Sequence, residues 1–158
     1  MQSSRQISVI LTILMAIVVA TCPAAAQEDK GLAAWILQDV PQRSALCVHL
    51  GIRDGKLTTA LSAEGRNLVN GFTADAEILK KARTHIRSKN LYGVVSVEKA
   101  AASKLPHSDN LVNLVVVDQL RDVLDQGLTL AEVLRVLAPQ GVAWIGESAT
   151  GSEIMKQG

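Results

Sequence analysis

The loop between the first apolar strand and the following helix contains the first candidates for binding chemistry. Gly51 and Gly55 bracket this loop, and glycine lets a backbone approach a ligand while the amides of the next helix point at it. The spacing is G-x-x-x-G, which matches neither the G-x-G-x-x-G of dinucleotide-binding loops nor a P-loop. Spacing alone therefore leaves two interpretations open: a ligand-binding loop, or an ordinary strand-to-helix turn.

The titratable side chains are scattered, which limits the chemistry that they can do together. Asp118 follows an apolar run and is expected to line a cleft, whereas His107 is expected to be a solvated loop residue. His85 is predicted on or beside the solvent face of a helix, and His49 at the end of a strand. With Cys47 expected in the core, three histidines at these spacings form no metal-ligand cluster. No side chain is identified as a catalytic base.

Alternating strand and helix patterns must position these residues. Strands are predicted at short apolar runs, and helices where apolar residues recur every three or four positions. Asp75 is expected to cap one helix, and Thr129 with Glu132 forms a capping box for another. That second helix is expected to bury Leu130, Val133, Leu134 and Leu137. The predicted strands are residues 45–50, 67–72, 92–97, 111–117 and 142–145, and the predicted helices are residues 31–39, 56–64, 75–89 and 130–137.

This order of elements predicts an α/β fold with a doubly wound, mostly parallel sheet. Apolar strands that alternate with helices are buried on both faces, and right-handed crossovers place helices on both sides of the sheet. In such sheets a ligand binds beyond the carboxyl ends of the strands, where the strand order reverses. Residues 51–55 are therefore the place at which a ligand is expected.

Residues 1–26 are interpreted as a secretory signal peptide, which leaves a domain of residues 27–158. Arg5 supplies a positive start, residues 7–20 are apolar, and the alanines at 24–26 fit a cleavage site. The alternatives are an uncleaved anchor and acylation of Cys22. Export predicts a periplasmic or extracellular protein with no membrane contact after cleavage. The chain has 16 Lys and Arg against 15 Asp and Glu, a balance that gives no field to attract nucleic acid.

Four segments in the same order resemble class I S-adenosylmethionine-dependent methyltransferases, of the small-molecule type often labelled type 11. They are similar to the family's glycine-rich first motif, its second strand, its LP-x-x-D lead into strand four and its E-x-x-R-V-L-x-P-G-G junction. The chain also looks like a secreted bacterial subgroup in which such a domain precedes a PQQ-type β-propeller. The four segments are HLGIRDG at 49–55, LVNGFT at 68–73, LPHSDN at 105–110 and EVLRVLAPQG at 132–141.

The resemblance implies a Rossmann-like methyltransferase sheet, S-adenosylmethionine as cofactor and a small-molecule methyl acceptor. The family continues with two more strands, so the domain is expected to be truncated after strand five. The sheet edge left there is expected to need a partner, either a homodimer mate or a β-propeller. Asp109 is expected near the mouth of the cleft. The residues implied for cofactor binding are His49, Gly51, Asp54, Gly55, Thr73 and Asp118.

Three positions depart from the family pattern. His49 stands where the family has an acid, Arg53 replaces the middle glycine, and Thr73 replaces the acid that holds the ribose hydroxyls. The acid expected after the third strand has no clear counterpart, and Glu98 is the candidate to replace it. Losing two charge-assisted hydrogen bonds, at roughly 1.5–3 kcal/mol each, lowers affinity by roughly two to four decades.

The sequence therefore leaves competing functions. The first is a methyltransferase-like domain that acts on an unknown small molecule. The second is an exported, catalytically degenerate interaction module that kept the fold and lost the site. A nicotinamide-binding Rossmann protein is disfavoured, because the first turn lacks a third glycine and no acid follows the second strand.

Overall fold

Five parallel strands form the sheet at the centre of the structure. The computed structural model describes residues 24–41 and 44–146 of the 158-residue chain. The strands are β1 (Leu46–Leu50), β2 (Leu68–Thr73), β3 (Val95–Lys99), β4 (Val112–Val117) and β5 (Leu137–Ile145). They lie in the order β3-β2-β1-β4-β5, and all four neighbouring pairs are parallel. The predicted doubly wound sheet is confirmed.

The central strand β1 shows why the apolar runs are continuous. Cys47 lies in register with Val69 on β2 and with Leu114 on β4, and all three side chains are buried. A strand that is covered on both faces favours apolar residues on both sides, and His49 is the polar exception on β1. Cys47 is confirmed as a core residue, and burial raises the pKa of its thiol to about 12.

Helices cover both faces of the sheet. In the described part of the chain they are α1 (Ala24–Gln38), α2 (Lys56–Leu61), α3 (Ala76–Ser88), α4 (Leu120–Asp125) and α5 (Leu130–Val136). The first three pack on one face, where Ile36, Leu61 and Ile86 join the core. Helices α4 and α5 lie on the other face, where Val123 and Val133 do so. The helices therefore lie on the two sides that right-handed crossovers require.

Two helix starts follow their predicted caps. The Asp75 carboxylate accepts hydrogen bonds from the amides of Glu77 and Ile78, at 2.7 and 3.0 Å, and so begins α3. The Thr129 hydroxyl accepts from the Glu132 amide at 3.1 Å and begins α5. The Glu132 carboxylate bonds the Leu105 amide and Arg135 and does not reach back to Thr129, so only the Thr129 half of the predicted capping box forms. Each cap satisfies amides that the first helical turn leaves without a partner.

Helix α5 corrects the prediction of which leucines are buried. Val133 and Val136 face the core, whereas Leu130 and Leu134 are 65% and 59% exposed. Periodicity placed Leu130 and Leu134 on one face of the helix, but it could not show whether another element covers that face. Leu137 has already left the helix and begins β5.

Other boundaries also differ from the prediction. Helix α4 was not predicted, and β3 begins three residues later than expected because Gly93 turns the chain with a φ of 99°. Strand β5 begins at Leu137 rather than at residue 142. Its pairing with β4 is irregular, because Val112 lies opposite Leu137 and Leu114 lies opposite Val142.

Helix α1 joins the start of the described chain to its last strand. Trp35 on α1 makes an edge-to-face contact with Trp144 on β5, with ring centroids 6.3 Å apart. The alanines at 24–26, expected to end the leader, lie in the first turn of α1. Residues 1–23 lie outside the described residues, so the signal peptide stays a prediction. None of the helices in the described ranges has the length and apolar character to span a membrane.

Candidate functional site

The strand order reverses between β1 and β4, and the two strand ends there define the candidate site. The chain leaves β1 towards β2 on one side, while β4 pairs with the other side of β1. The loop of residues 51–55 follows β1, and Asp118 follows β4 directly. Thr73 ends the neighbouring strand β2. We call this set, residues 51–55 with Thr73 and Asp118, the β1–β4 mouth.

The two glycines of the loop are required by close packing. Gly51 has a φ of 77°, and a Cβ there would clash with the backbone carbonyl of Asp118. Gly55 has a φ of 84° and lies against Ala82 of α3, where a Cβ would come within 2.9 Å of the Ala82 Cα. Both glycines are therefore explained by the strand-to-helix turn in which they lie. Their predicted contact with a ligand through the backbone stays a prediction.

An ion pair crosses the mouth from the loop to β4. Arg53 Nε lies 3.4 Å from Asp118 Oδ2. The Asp118 side chain is 2% exposed, whereas that of Arg53 is 41% exposed, so the pair joins a buried anion to a half-solvated cation. The Asp118 amide also donates to the Leu50 carbonyl at 2.9 Å, which fixes the residue against the end of β1. Arg53, which replaces a family glycine, thus occupies the space at the point of strand reversal.

Asp54 organises the start of α2. Its carboxylate accepts from the Lys56 amide at 3.0 Å and lies 2.8 Å from Lys56 Nζ. Partial burial alone would raise the pKa of Asp54, but the two hydrogen bonds from Lys56 outweigh it and hold the pKa below its ordinary value. The Asp54 carboxylate is therefore charged at neutral pH and is already engaged with the helix that follows it.

Thr73 is the residue of β2 that we include in the mouth. It is buried, and its hydroxyl oxygen accepts from the Asp75 amide at 3.2 Å. Since Asp75 caps α3, its carboxylate is held by that helix and does not replace the family acid. The end of β2 thus offers a neutral hydroxyl, as the sequence predicted.

His49 lies beneath α2 and not in the mouth. Its Nδ1 is 2.9 Å from Thr58 Oγ1, and the ring is 1% exposed. No described residue bonds its Nε2. Burial lowers the pKa of His49 to about 3, and the positive charge of Arg53 acts in the same direction. The neutral ring therefore helps to position α2 on β1, and its predicted contact with a cofactor stays a prediction.

On the opposite face of the sheet, α5 holds the segment that leads into β4. Arg135 bonds Glu132, Asp109 and the carbonyls of Leu105 and His107, at 2.6 to 3.1 Å. The Glu132 carboxylate also accepts from the Leu105 amide at 2.7 Å, and the bond from Arg135 lowers the pKa of Glu132 to about 2. We call these five residues the α5 clip. The clip joins the LP-x-x-D and E-x-x-R segments.

The α5 clip corrects the predictions for Asp109 and His107. Asp109 precedes β4 at its amino end and pairs with Arg135, so it lies at the end of the sheet away from the mouth. His107 is half-buried, with Nε2 3.3 Å from the Asn70 amide and its ring edge-to-face with Phe72. Burial, followed by the charge of Arg135, lowers the pKa of His107.

Sequence reasoning missed the polar pair beneath His107. Asn70 accepts from the Ser96 hydroxyl at 3.0 Å, and the two residues face each other across β2 and β3. The signal was present, since Asn70 interrupts an otherwise apolar strand. Glu98 was the candidate to replace the family acid expected after the third strand. It is exposed on β3, where it lies opposite Phe72 of β2 in the strand register.

An open groove lies beside the mouth, between the start of α2 and the outer side of α3. Asp54 is the one mouth residue that lines it, and His85 is half-buried there, as predicted for a residue beside the solvent face. Burial lowers the pKa of His85. Within the described ranges no group of three metal-binding side chains occurs. The groove lining is Asp54, Lys56, Glu77, Lys80, Lys81, Thr84, His85 and Ser88.

The sheet order and the loop at its reversal define a Rossmann-like methyltransferase fold of class I. A family model described as a methyltransferase domain matches residues 48–145, and the chain belongs to that family. The match runs from β1 to the end of β5, so it covers the β1–β4 mouth and the α5 clip together.

Curated relatives match part of their own length. The ubiquinone/menaquinone biosynthesis C-methyltransferase UbiE of Shewanella piezotolerans is 35% identical over 82 residues, which cover 51% of this chain and 33% of that protein. The corresponding enzyme of Psychromonas ingrahamii is 36% identical over 74 residues, which cover 46% and 30%. The chain therefore spans about a third of the length of these relatives.

Solved structures share the fold at low sequence identity. A structure from Methanococcus maripaludis, assigned as an S-adenosyl-L-methionine-dependent methyltransferase, gives a TM-score of 0.69 at 19% identity, covering 77% of this chain and 56% of that one. Geranyl diphosphate methyltransferase in complex with SAM gives 0.59 at 17%, covering 72% and 47%. The [4+2]-cyclase SpnF gives 0.61 at 21%, covering 70% and 41%.

Proposed function

We propose that this domain binds S-adenosylmethionine at the β1–β4 mouth and transfers its methyl group to a small molecule. The carrying observation is the position of the mouth, because the loop of residues 51–55 and Asp118 meet where the strand order reverses. S-adenosylmethionine is the cofactor that membership of the family implies. Two relatives named as C-methyltransferases support the reaction class.

The charges of the mouth fit the amino-acid end of this cofactor. That end carries an ammonium and a carboxylate, and the mouth presents the complementary pair, Asp118 and Arg53. Asp118 would hold the ammonium and Arg53 the carboxylate, so that the existing ion pair is exchanged for two new ones. When bound, the cofactor supplies an electrophilic methyl group on a sulfonium. The protein then needs mainly to align the acceptor with that methyl group.

The ribose end is matched less well. Thr73 would offer one neutral hydrogen bond where the family offers a charge-assisted pair of bonds from an acid. To bind the ribose, the Thr73 hydroxyl must form this bond while its oxygen still accepts the hydrogen bond from the Asp75 amide. We therefore expect weak binding, which a single substitution at this position should strengthen.

Isothermal titration of S-adenosylmethionine into the full chain and into Thr73→Asp tests this proposal. The wild type should bind weakly, and Thr73→Asp should bind about tenfold more tightly, because a carboxylate accepts a stronger bond from a hydroxyl. Thr84→Asp is the control, since Thr84 lies on the exposed side of α3 and its new charge should leave the affinity unchanged. Absence of binding heat from both the wild type and Thr73→Asp at millimolar cofactor would refute the proposal.

The second candidate is an exported, catalytically degenerate interaction module. The observation that favours it is the Arg53–Asp118 ion pair, in which a side chain of the protein already pairs with the buried carboxylate of the mouth. The likeness to a named [4+2]-cyclase also shows that this fold does not fix methyl transfer. Transfer of a labelled methyl group to any small acceptor would reject this candidate. Export is tested separately, by finding a mature amino terminus at Gln27 in the periplasm or medium.

A further inference from the structure

A row of three polar side chains runs from β3 across β2 to the segment that leads into β4. The Ser96 hydroxyl donates to Asn70 Oδ1 at 3.0 Å, and Asn70 Nδ2 lies 3.3 Å from His107 Nε2. Ser96 and Asn70 are partners in the register of β2 and β3, and all three residues are half-buried. The proposed binding of the cofactor gives them no role.

The Asn70 amide dictates the protonation state of the His107 ring. An amide N–H only donates, so Nε2 must accept and therefore carries no proton. The ring is then neutral with its proton on Nδ1, and no described residue bonds that nitrogen. A proton on Nε2 would set two donors against each other. The observed arrangement therefore belongs to the neutral ring.

The ring is held in place, whereas the amide is able to turn. The His107 carbonyl accepts from Arg135 Nη1 at 2.8 Å, and the ring lies edge-to-face against Phe72, with centroids 5.6 Å apart. Half a turn about the Cβ–Cγ bond of Asn70 exchanges its oxygen and nitrogen at almost no change in shape. The Ser96 hydroxyl can follow, because a hydroxyl both donates and accepts. A second fully bonded arrangement is therefore within reach.

We propose that Ser96, Asn70 and His107 form a proton-operated switch in which the direction of hydrogen bonding reverses. While Nε2 has no proton, the bonds run from Ser96 through Asn70 to His107. When Nε2 takes a proton from solvent, it donates to Asn70 Oδ1, and Asn70 Nδ2 donates to Ser96 Oγ. The Ser96 hydroxyl hydrogen is then released on the face of β3 that also carries Glu98, two residues farther along. The switch works whether or not a ligand occupies the β1–β4 mouth.

Charged groups on the neighbouring elements set the pH of the reversal. Burial lowers the pKa of His107 most, Arg135 of α5 lowers it further, and Glu98 of β3 raises it. The acids Glu132 and Asp109 are paired with Arg135, and β2 has no charged side chain. Because burial and Arg135 prevail, the reversal is expected below pH 6.5, the ordinary value for histidine.

Nitrogen NMR of the full chain, titrated from neutral pH down to the pH at which it unfolds, tests this proposal. At neutral pH the His107 ring should show a protonated Nδ1 and an unprotonated Nε2. As the ring takes up its second proton, the side-chain amide resonances of Asn70 should shift with the same midpoint, because the amide turns.

Ser96→Ala tests whether the two ends of the row are linked. In the protonated arrangement this variant leaves an Asn70 N–H without its acceptor, which costs more than the loss of one donor to a carbonyl oxygen in the neutral arrangement. The proton affinity of His107 should therefore fall about threefold. Ser108→Ala is the matched control, since Ser108 is an exposed serine next to His107 and its removal should leave the midpoint unchanged.

Several results would overturn the switch. They are a protonated Nε2 at neutral pH, a ring that stays neutral until the protein unfolds, and Asn70 amide resonances that do not follow the titration of His107. Equal midpoints for Ser96→Ala and Ser108→Ala would show that the Ser96 hydroxyl takes no part in it.

Discussion

The α5 clip and the β1–β4 mouth both consist of residues from family motifs, yet their interactions differ. In the clip, Arg135 bonds four other residues, and the motif residues Glu132 and Asp109 are those that the family pattern calls for. In the mouth, Arg53 and Thr73 replace family residues, and the ion pair between Arg53 and Asp118 crosses the space at 3.4 Å. The clip serves the fold, whereas the mouth is where ligand chemistry is expected.

The difference teaches that one motif can persist for structural reasons while a candidate ligand site at the other end of the same sheet changes. The clip attaches residues 105–109 to α5, and residues 110 and 111 bond the backbone at Arg135 and Val136 next to it. Without the clip, the segment over β2 would lose its anchor. Among the described residues, the contact given for the Arg53 side chain is its ion pair with Asp118, so we expect substitution of Arg53 to cost less stability than loss of the clip.

Arg135→Ala should give the largest effect and break the clip. The variant removes bonds to two carboxylates and two carbonyls, and it leaves Glu132 without its cation. We expect urea denaturation to show a fall in the free energy of unfolding that exceeds the falls caused by the other substitutions, because four partners lose their hydrogen-bond donor at once. Arg66→Ala is the control. Its side chain is exposed and makes one bond, so its change should stay within about 0.5 kcal/mol. Equal losses in the two variants would contradict the role of the clip.

The pH dependence of stability should show that His49 is neutral and buried. The pKa of His49 in the folded protein is about 3, below the ordinary value of 6.5, so between these values the unfolded chain binds a proton that the folded chain does not. Stability should therefore fall as the pH drops below about 6.5, by about 2 kcal/mol at pH 5.

His49→Asn should remove this part of the pH dependence. Asparagine retains a polar group near Thr58 and does not titrate, so unfolding of the variant should respond less to pH between about 5 and 7. His85→Gln serves as the control, because His85 is only half-buried and contributes less. If His49→Asn keeps the full pH dependence of the wild type, the ring is not the group responsible.

Arg53→Ala should give the smallest effect and sharpen the contrast with the clip. One partner of this pair is half-solvated, so we expect a loss of about 1 kcal/mol in the free energy of unfolding. The difference from the wild type should shrink at about 1 M salt, where charges are screened over a few ångströms. A loss as large as that of Arg135→Ala would mean that the mouth also supports the fold.

Sequence reasoning predicted most of the sheet, because buried parallel strands are apolar runs that contrast with the helices between them. β1, β2 and β4 begin and end within a residue of the predicted bounds. The caps at Asp75 and Thr129 were predicted for the same local reason, since a short polar side chain satisfies the first amides of a helix.

The rest depends on contacts between segments that are distant in the chain. The position of Leu134 on its helix follows from periodicity, but its exposure depends on whether another element packs against that side of the helix. The orientation of His49 under α2 and the reach of Arg53 to Asp118 are likewise tertiary. α4 has six residues and no side-chain cap, so it carries little local signal. The assignment of the six predicted cofactor-binding residues remains a prediction for the titration to decide.

Because Trp35 and Trp144 contact each other, the intrinsic fluorescence of the protein reports on the junction between α1 and β5. The chain has two tryptophans, and they are the two rings of this edge-to-face pair. Indole emission therefore arises wholly at the seam where α1 meets the final strand. Trp35 is already 53% exposed, so release of α1 would chiefly expose the half-buried Trp144 to water and shift its fluorescence to longer wavelength, even while the strands stayed paired.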